Sequence, residues 1–358
     1  MANILDYVYW RGDLSFNKSH FNDIDNLILS EICYIDFSKS VKKFPSEEQI
    51  SLKDATDILF EHVKKEDMVL GLIVPNSIVE LCDKAKDCKR FGTILLSNYI
   101  NQVSSKTSCQ FSAMCFHLSS DLIYIAFRGT DDTLIGWQEN LDMVCSYPVP
   151  AQKKAANYIH KIAEMYPQCK LMIGGHSKGG NLATYGAIYC DDSIKERILK
   201  VYCNDGPGFV KERVDETKFE LIQNKIVRII PQNSVVGLIF DEFCGQTKIV
   251  ESSVRGIKQH DGFSWQIQVT SFRLVDQISI NAQKLDEAIT KMLGRLSEDE
   301  RKDLASNVYQ FVIELNKTTL LEVHKDSIRL LKYLNKISSK NKKIFMELIY
   351  NFIKYKQL

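Results

Sequence analysis

The sequence has no C-x-x-C pair among its ten cysteines, which removes zinc ribbons and thioredoxin-like redox motifs. Its first residues, MANILDYVYWRGDLSF, lack a basic stretch followed by an apolar one, so no secretory leader is read there. The longest apolar stretch, Met68 to Leu81, is broken by Pro75, Asn76 and Ser77, and no segment is long enough to span a bilayer. Charge of one sign is also missing. The formal net charge is +1, which gives no reason to expect nucleic acid. No internal repeat and no low-complexity linker is present. Unpaired thiols in this number fit a reducing compartment, and together these absences predict a cytoplasmic protein.

What is present is an ordinary globular composition, 45% apolar and 25% charged over 358 residues. That length predicts one large domain with additions, or two domains. Residues 1–105 read mostly as helices. Asn22 and Asp23 precede a helical face of Ile24, Leu27, Ile28 and Ile32, Ser46 with Gln49 reads as a capping box, and a helix is expected from Asn76 to about Cys88. Residues 106–275 change character. Segments 111–118 and 122–127 read as a hairpin, followed by helices near 133–145 and from Ala151 to Met165. Then come a strand at Lys170–Gly174, a helix from Lys178 to about Cys190, a strand at 199–203, a helix at 215–223 and a strand at 225–230. Such alternation predicts an α/β fold, a mostly parallel sheet covered by helices on both faces. Residues 276–358 return to helices, with Ser297 and Glu300 as a capping box. From Thr318 onward nine Lys/Arg face three acids. The expected organisation is thus a core at 106–275, with helical additions at 1–105, packing on or capping the core, and at 276–358.

The informative segment is KLMIGGHSKGG, residues 170–180, which contains the G-x-S-x-G of Gly175, Ser177 and Gly179. In a nucleophile elbow the serine sits on a sharp strand-to-helix turn, and small residues are needed two positions either side because strand and helix nearly touch. An apolar strand enters this motif and a small-residue helix leaves it, so Ser177 is the candidate nucleophile of an α/β-hydrolase-type fold. The bland alternative is a glycine-rich turn that binds a phosphate or nothing.

A second segment reads IAFRGTDDTLIGWQEN, residues 125–140. A strand ending in FRGT before a Trp-containing helix resembles the class 3, or fungal-lipase-like, lipases, over about residues 110–265. The whole chain resembles an uncharacterised bacterial lipase-like family, through NILDYVYWRGDLSF, RFGTILLSNYINQ and NDGPGF. The resemblance implies that Thr130 supplies oxyanion-hole donors. The physical argument adds the backbone N–H of Lys178, since a tetrahedral intermediate needs donors fixed beforehand. Otherwise Thr130 simply caps the next helix. Arg128 is expected to pair with a nearby carboxylate, and His176 to pack beside the elbow.

The base must follow Ser177, where only His260 and His324 remain. His324 falls in the helical tail. His260 lies in the loop-like QHDGFSW, close before Trp265, as the family's histidine does. The acid departs from the family pattern, because Ser234 stands where the resemblance implies Asp. Asp205, after the strand at 199–203, is the leading substitute, and Asp241 is the next. Asn233 or Ser234 holding His260 in a weaker triad or dyad is the third reading, and a turn role for Asp205 remains beside these. The chemistry expected is ester hydrolysis through an acyl-enzyme, with no metal or organic cofactor implied. The expected partner is a small-molecule or lipid ester, with a solvated helical face packing on the core as the leading reading of the basic C-terminal helices and peripheral membrane contact as the other. A non-catalytic binding or scaffold protein on a hydrolase fold is the rival, and oligomeric state is left open.

Overall fold

A computed structural model describes residues 2–68, 70, 74–107, 109–131, 134–145, 147–240, 243–315 and 334–355. Its centre is an eight-stranded sheet in which sequence order and spatial order coincide. The strands are β1 (Ile50–Ser51), β2 (Leu95–Ser104), β3 (Cys109–Ser119), β4 (Leu122–Phe127), β5 (Lys170–His176), β6 (Ile198–Asn204), β7 (Ile226–Pro231) and β8 (Gln246–Val250). β1 to β4 pair antiparallel, and β4 to β8 run parallel.

Parallel strands laid down one after another in a single direction, each joined by a right-handed crossover, place their connecting helices on the same face. α6 (Pro150–Met165) and α7 (Lys178–Tyr189) lie on that face, against Ile123, Ile125, Leu171, Ile173 and Val201. The alternate residues Tyr124, Ala126, Tyr202, Val227 and Ile229 point the other way. That second face is closed by α1 (Ile4–Arg11), α2 (Asp23–Ile32), α3 (Leu52–His62) and α4 (Ser77–Lys86), all in one apolar cluster with it. The sheet is therefore covered on both sides, as the strand–helix alternation predicts.

α2 begins where the sequence signals it, with Asn22 and Asp25 forming a reciprocal capping box. Its polar side chains plug into the sheet. Asn26 donates to Asn204 Oδ1 at 2.8 Å, Asn204 donates to the Gly175 carbonyl at 3.1 Å, and Ser30 and Tyr124 hydroxyls meet at 2.8 Å. Asp25 and Arg90 form a fully buried bidentate pair at 2.7 and 2.5 Å. Arg90 also donates to the carbonyls of Leu14, Ser19 and His20, which pins the loop between α1 and α2.

Two sequence expectations change. Residues 95–104 are a sheet strand, not helix. A bulge between Ser97 and Ile100, with Asn98 at φ 57°, breaks the alternation that would announce it. Ser46 and Gln49 start no helix. The Ser46 N–H goes to Asn98 Oδ1, and α3 is capped by Ser51 instead. β8 gives no strand signal in the sequence, because it is short, polar and at the sheet edge.

Beyond the sheet, the remaining crossover helices are α5 (Leu134–Cys145), α8 (Asp192–Arg197) and α9 (Glu216–Glu220). A two-stranded ribbon pairs β9 (Ile267–Gln268) with β10 (Ser271–Phe272). α10 (Ile280–Gly294), α11 (Glu298–Leu315) and a last helix, here α12 (Ser339–Lys354), follow, and Ser297 and Glu300 make the expected capping box. The stretch 316–333 of the basic tail, with His324, lies outside the described residues, as does Asp241. Among the described residues no helix is long and apolar enough to cross a membrane.

Removing one partner of a buried ion pair strands the other charge. Asp25→Ala is therefore expected to lower the unfolding free energy by about 3–5 kcal/mol. Arg90→Lys, which keeps the charge but cannot make the bidentate contact, should also be less stable than wild type. Urea denaturation followed by far-UV circular dichroism checks both.

Candidate active site

β5 runs straight into α7, and the turn between them has no slack. A Cβ on Gly175 would press on the backbone of Gly179, and one on Gly179 would fall on the Phe127 carbonyl of β4. Helix and strands touch backbone to backbone, so the residue at the corner takes an unusual conformation. Ser177 has φ 57° and ψ −131°, a region that costs non-glycine residues about 1–3 kcal/mol. Its N–H donates to the Asn204 carbonyl at 2.9 Å, tying the corner to the end of β6. Its side chain is half-buried.

Asp205 follows β6 directly, at φ 45° and fully buried. A carboxylate in such a place needs donors. Oδ2 lies 2.7 Å from His260 Nδ1, while Oδ1 accepts from Ser234 Oγ at 2.5 Å and from the Gly237 N–H at 3.2 Å. The contact to Asp205 assigns the proton to Nδ1 of His260 and leaves Nε2 as an acceptor. His260 ends a 3₁₀ turn, Gly256–His260, and its side chain is 27% exposed. That turn is held from below, where Trp265 Nε1 donates to the Gln259 carbonyl at 2.9 Å and Gln259 Oε1 accepts from the Asn233 N–H at 2.9 Å.

Ser177, Asp205 and His260 thus gather at the carboxyl ends of β5 and β6. Among the described residues no hydrogen bond joins Ser177 Oγ to His260. The link between them runs through His176, whose ring lies 4.6 Å from that of His260. His176 therefore does more than pack aside: its Nε2 lies 2.8 Å from the His260 carbonyl oxygen. Neither Asn233 nor Ser234 bonds the His260 ring. Ser234 holds Asp205 instead.

The loop after β4 passes alongside the elbow. Arg128 pairs with Asp131 at 2.9 Å, as expected of it. Thr130 between them is buried, and its Oγ1 accepts from Asn140 Nδ2 at 2.6 Å. Lys178 opens α7, where first-turn N–H groups have no partner within the helix. Its side chain turns away from the site and is sealed. Nζ donates to the Gln110 carbonyl at 2.9 Å, to Gln110 Oε1, and to Glu139 Oε2 at 3.0 Å. Burial pushes this ammonium down, and the Glu139 carboxylate opposes that shift. Glu139 also accepts from the N–H groups of Gln110 at 3.0 Å and Ala151 at 2.9 Å. Adjacent residues of α5 therefore fasten both sides of the site, Glu139 the elbow and Asn140 the Thr130 loop. Sequence reasoning did not name Glu139, Gln110 or Asn140. The usable signal was Lys178 itself, since a lysine in a turn this tight requires a buried acid nearby.

Among the described residues no cluster of His, Cys, Asp and Glu could hold a metal ion.

The mostly parallel sheet flanked by helices is that of a lipase-like α/β-hydrolase fold. The chain belongs to the Mbeg1-like family, whose model matches residues 85–310. No curated protein matches the sequence. Similar solved structures include MDLA from Penicillium cyclopium, at 13% identity over 70% of this chain and 83% of that one, with a TM-score of 0.38. Lip2 lipase from Yarrowia lipolytica is 12% identical over 74% and 91%, with a TM-score of 0.37. A Rhizomucor miehei lipase propeptide complex is 17% identical over 48% of this chain, with a TM-score of 0.32, and this chain spans 59% of its length.

Lys178→Met leaves Glu139 as an uncompensated buried charge, and the expected cost is about 3–5 kcal/mol. Adding Glu139→Gln should return part of that loss. A double-mutant cycle by chemical denaturation measures the coupling.

Proposed function

We propose that the protein is a serine hydrolase of carboxylic esters, of lipase, lysophospholipase or esterase type, with Ser177, His260 and Asp205 as its triad. The observation that carries this reading is the 2.7 Å contact between buried Asp205 and His260 Nδ1 beside the strained Ser177 corner. In this mechanism His260 Nε2 takes the proton of Ser177 as Oγ attacks the ester carbonyl. The backbone N–H groups of Thr130 and Lys178 meet the developing oxyanion. His260 then protonates the departing alcohol, and water attacks the acyl-enzyme by the same route. Asp205 fixes the Nδ1–H tautomer and stabilises the imidazolium that forms.

A fluorophosphonate probe tests the reading without knowledge of the substrate. Labelling is expected in the folded wild type and absent in Ser177→Ala, and Asp205→Asn should slow it by about 10⁴-fold. A folded wild type that does not label, or labels equally without the hydroxyl, favours a binding protein on a hydrolase fold.

The same proposal places the enzyme in the cytoplasm, with its C-terminal helices against an anionic membrane surface. Along α12, Met346, Tyr350 and Ile353 are 38%, 58% and 48% exposed, one apolar stripe beside the exposed Lys343 and Lys354. Reversing both lysines to Glu should weaken sedimentation with anionic vesicles about tenfold or more. Unchanged binding discards the membrane contact.

A further inference from the structure

His176 sits between the N-terminal helices and the candidate base, and its two ring nitrogens face different neighbours. Nε2 lies 2.8 Å from the His260 carbonyl oxygen, an obligate acceptor, so Nε2 carries a proton. Nδ1 faces Tyr34 Oη at 3.4 Å and Glu31 Oε1 at 3.7 Å. Glu31 is on α2, and Tyr34 lies just past its end. Glu31 is 2% exposed, and its Oε1 has no hydrogen-bond partner. A buried polar atom left in this state needs a reason.

The charge states agree with one another. Burial, with Asp261 close by, holds the Glu31 carboxyl well above the usual carboxylate range, which favours its protonated form. Burial, and then the nearby His260, push the His176 imidazole down to about 3, so it is neutral. A neutral His176 with its proton on Nε2 presents Nδ1 as an acceptor. The groups facing Nδ1 are then the Tyr34 hydroxyl, within hydrogen-bond distance, and the Glu31 carboxyl, whose Oε1 stops just short of it. A cationic His176 would be wrong here, because its ring lies 4.6 Å from that of His260. A charge at that distance would oppose the imidazolium that acyl transfer requires.

We propose that His176 is a positioning residue for His260, gripping its backbone carbonyl and packing against its ring at a tilt, and that Glu31 and Tyr34 of the N-terminal region set the His176 tautomer. The inference rests on the serine-hydrolase reading and extends it. The N-terminal helices thereby take part in the site through a chain of contacts, Glu31 to His176 to His260, as well as covering the sheet.

The test uses the full chain and the rate of fluorophosphonate labelling. His176→Phe keeps the ring but loses both nitrogens, and is expected to slow labelling by about tenfold or more while the thermal midpoint stays close to wild type. His176→Gln restores a donor toward the His260 carbonyl and should recover most of the rate. Glu31→Leu should slow labelling, and Glu31→Gln, which keeps a donor toward Nδ1, should recover it. Long-range ¹H–¹⁵N spectra of histidine-labelled wild type should show one imidazole, absent from the His176→Phe spectrum, as the neutral Nε2–H form between about pH 5 and 8. Labelling of His176→Phe at the wild-type rate overturns the proposal, as does His176→Gln being no faster than His176→Phe. So does a cationic or Nδ1–H His176. Should His176→Phe fail to fold, the signal is assigned with His176→Gln, and the tautomer together with the Glu31 pair decides. A folded wild type that never labels removes the hydrolase reading and this inference with it, whereas a labelling wild type with an indifferent His176→Phe removes this inference alone.

Discussion

The close approach of α7 to β4 and β5 governs everything around Ser177. With Gly175 and Gly179 backbones in contact and the Phe127 carbonyl against the helix, the chain can turn only through a left-handed corner. That corner lifts the serine side chain out of the core and leaves the first N–H groups of α7 unpaired within the helix. It also closes the space behind, which is why Lys178 cannot reach solvent and must find Glu139. The buried ion pair is thus a consequence of the elbow, and through Asn140 it reaches the Thr130 loop as well.

In the proposed triad the acid's role has moved between strands. Where the family resemblance puts a carboxylate after β7, this chain has Ser234, and the carboxylate comes from Asp205 after β6. The two positions face each other across the sheet end, and Ser234 Oγ is 2.5 Å from Asp205 Oδ1. The vacated position has become a donor to the group that replaced it. Asp205 at φ 45° pays for this reach with backbone strain, offset by the Ser234 and Gly237 donors.

Much of this was legible in the sequence for identifiable reasons. The strands β3 to β7 and the helices between them carry strong apolar periodicity, so their order and type could be read. The tight turn at Ser177 was legible because its geometry demands small neighbours, and the loop bringing His260 to Asp205 because few histidines follow that turn. β2 was not, because its bulge at Ser97–Ile100 interrupts the alternation. The ties that hold the site, Lys178 to Glu139, Thr130 to Asn140 and His176 to Glu31, were not legible either. Each joins side chains from different elements, and nothing local announces which polar side chain will be enclosed with which.

The sequential strand order has one more consequence. Because right-handed crossovers load one face only, the other must be closed by chain from outside the parallel unit, and α1 to α4 do so. Apolar Tyr124, Tyr202, Val227 and Ile229 would otherwise meet water. The hydrolase-like unit is therefore not a transferable module. A gene segment encoding β3 to β8 alone would yield a sticky half-sandwich, so recombination could move this fold only together with its leading helices.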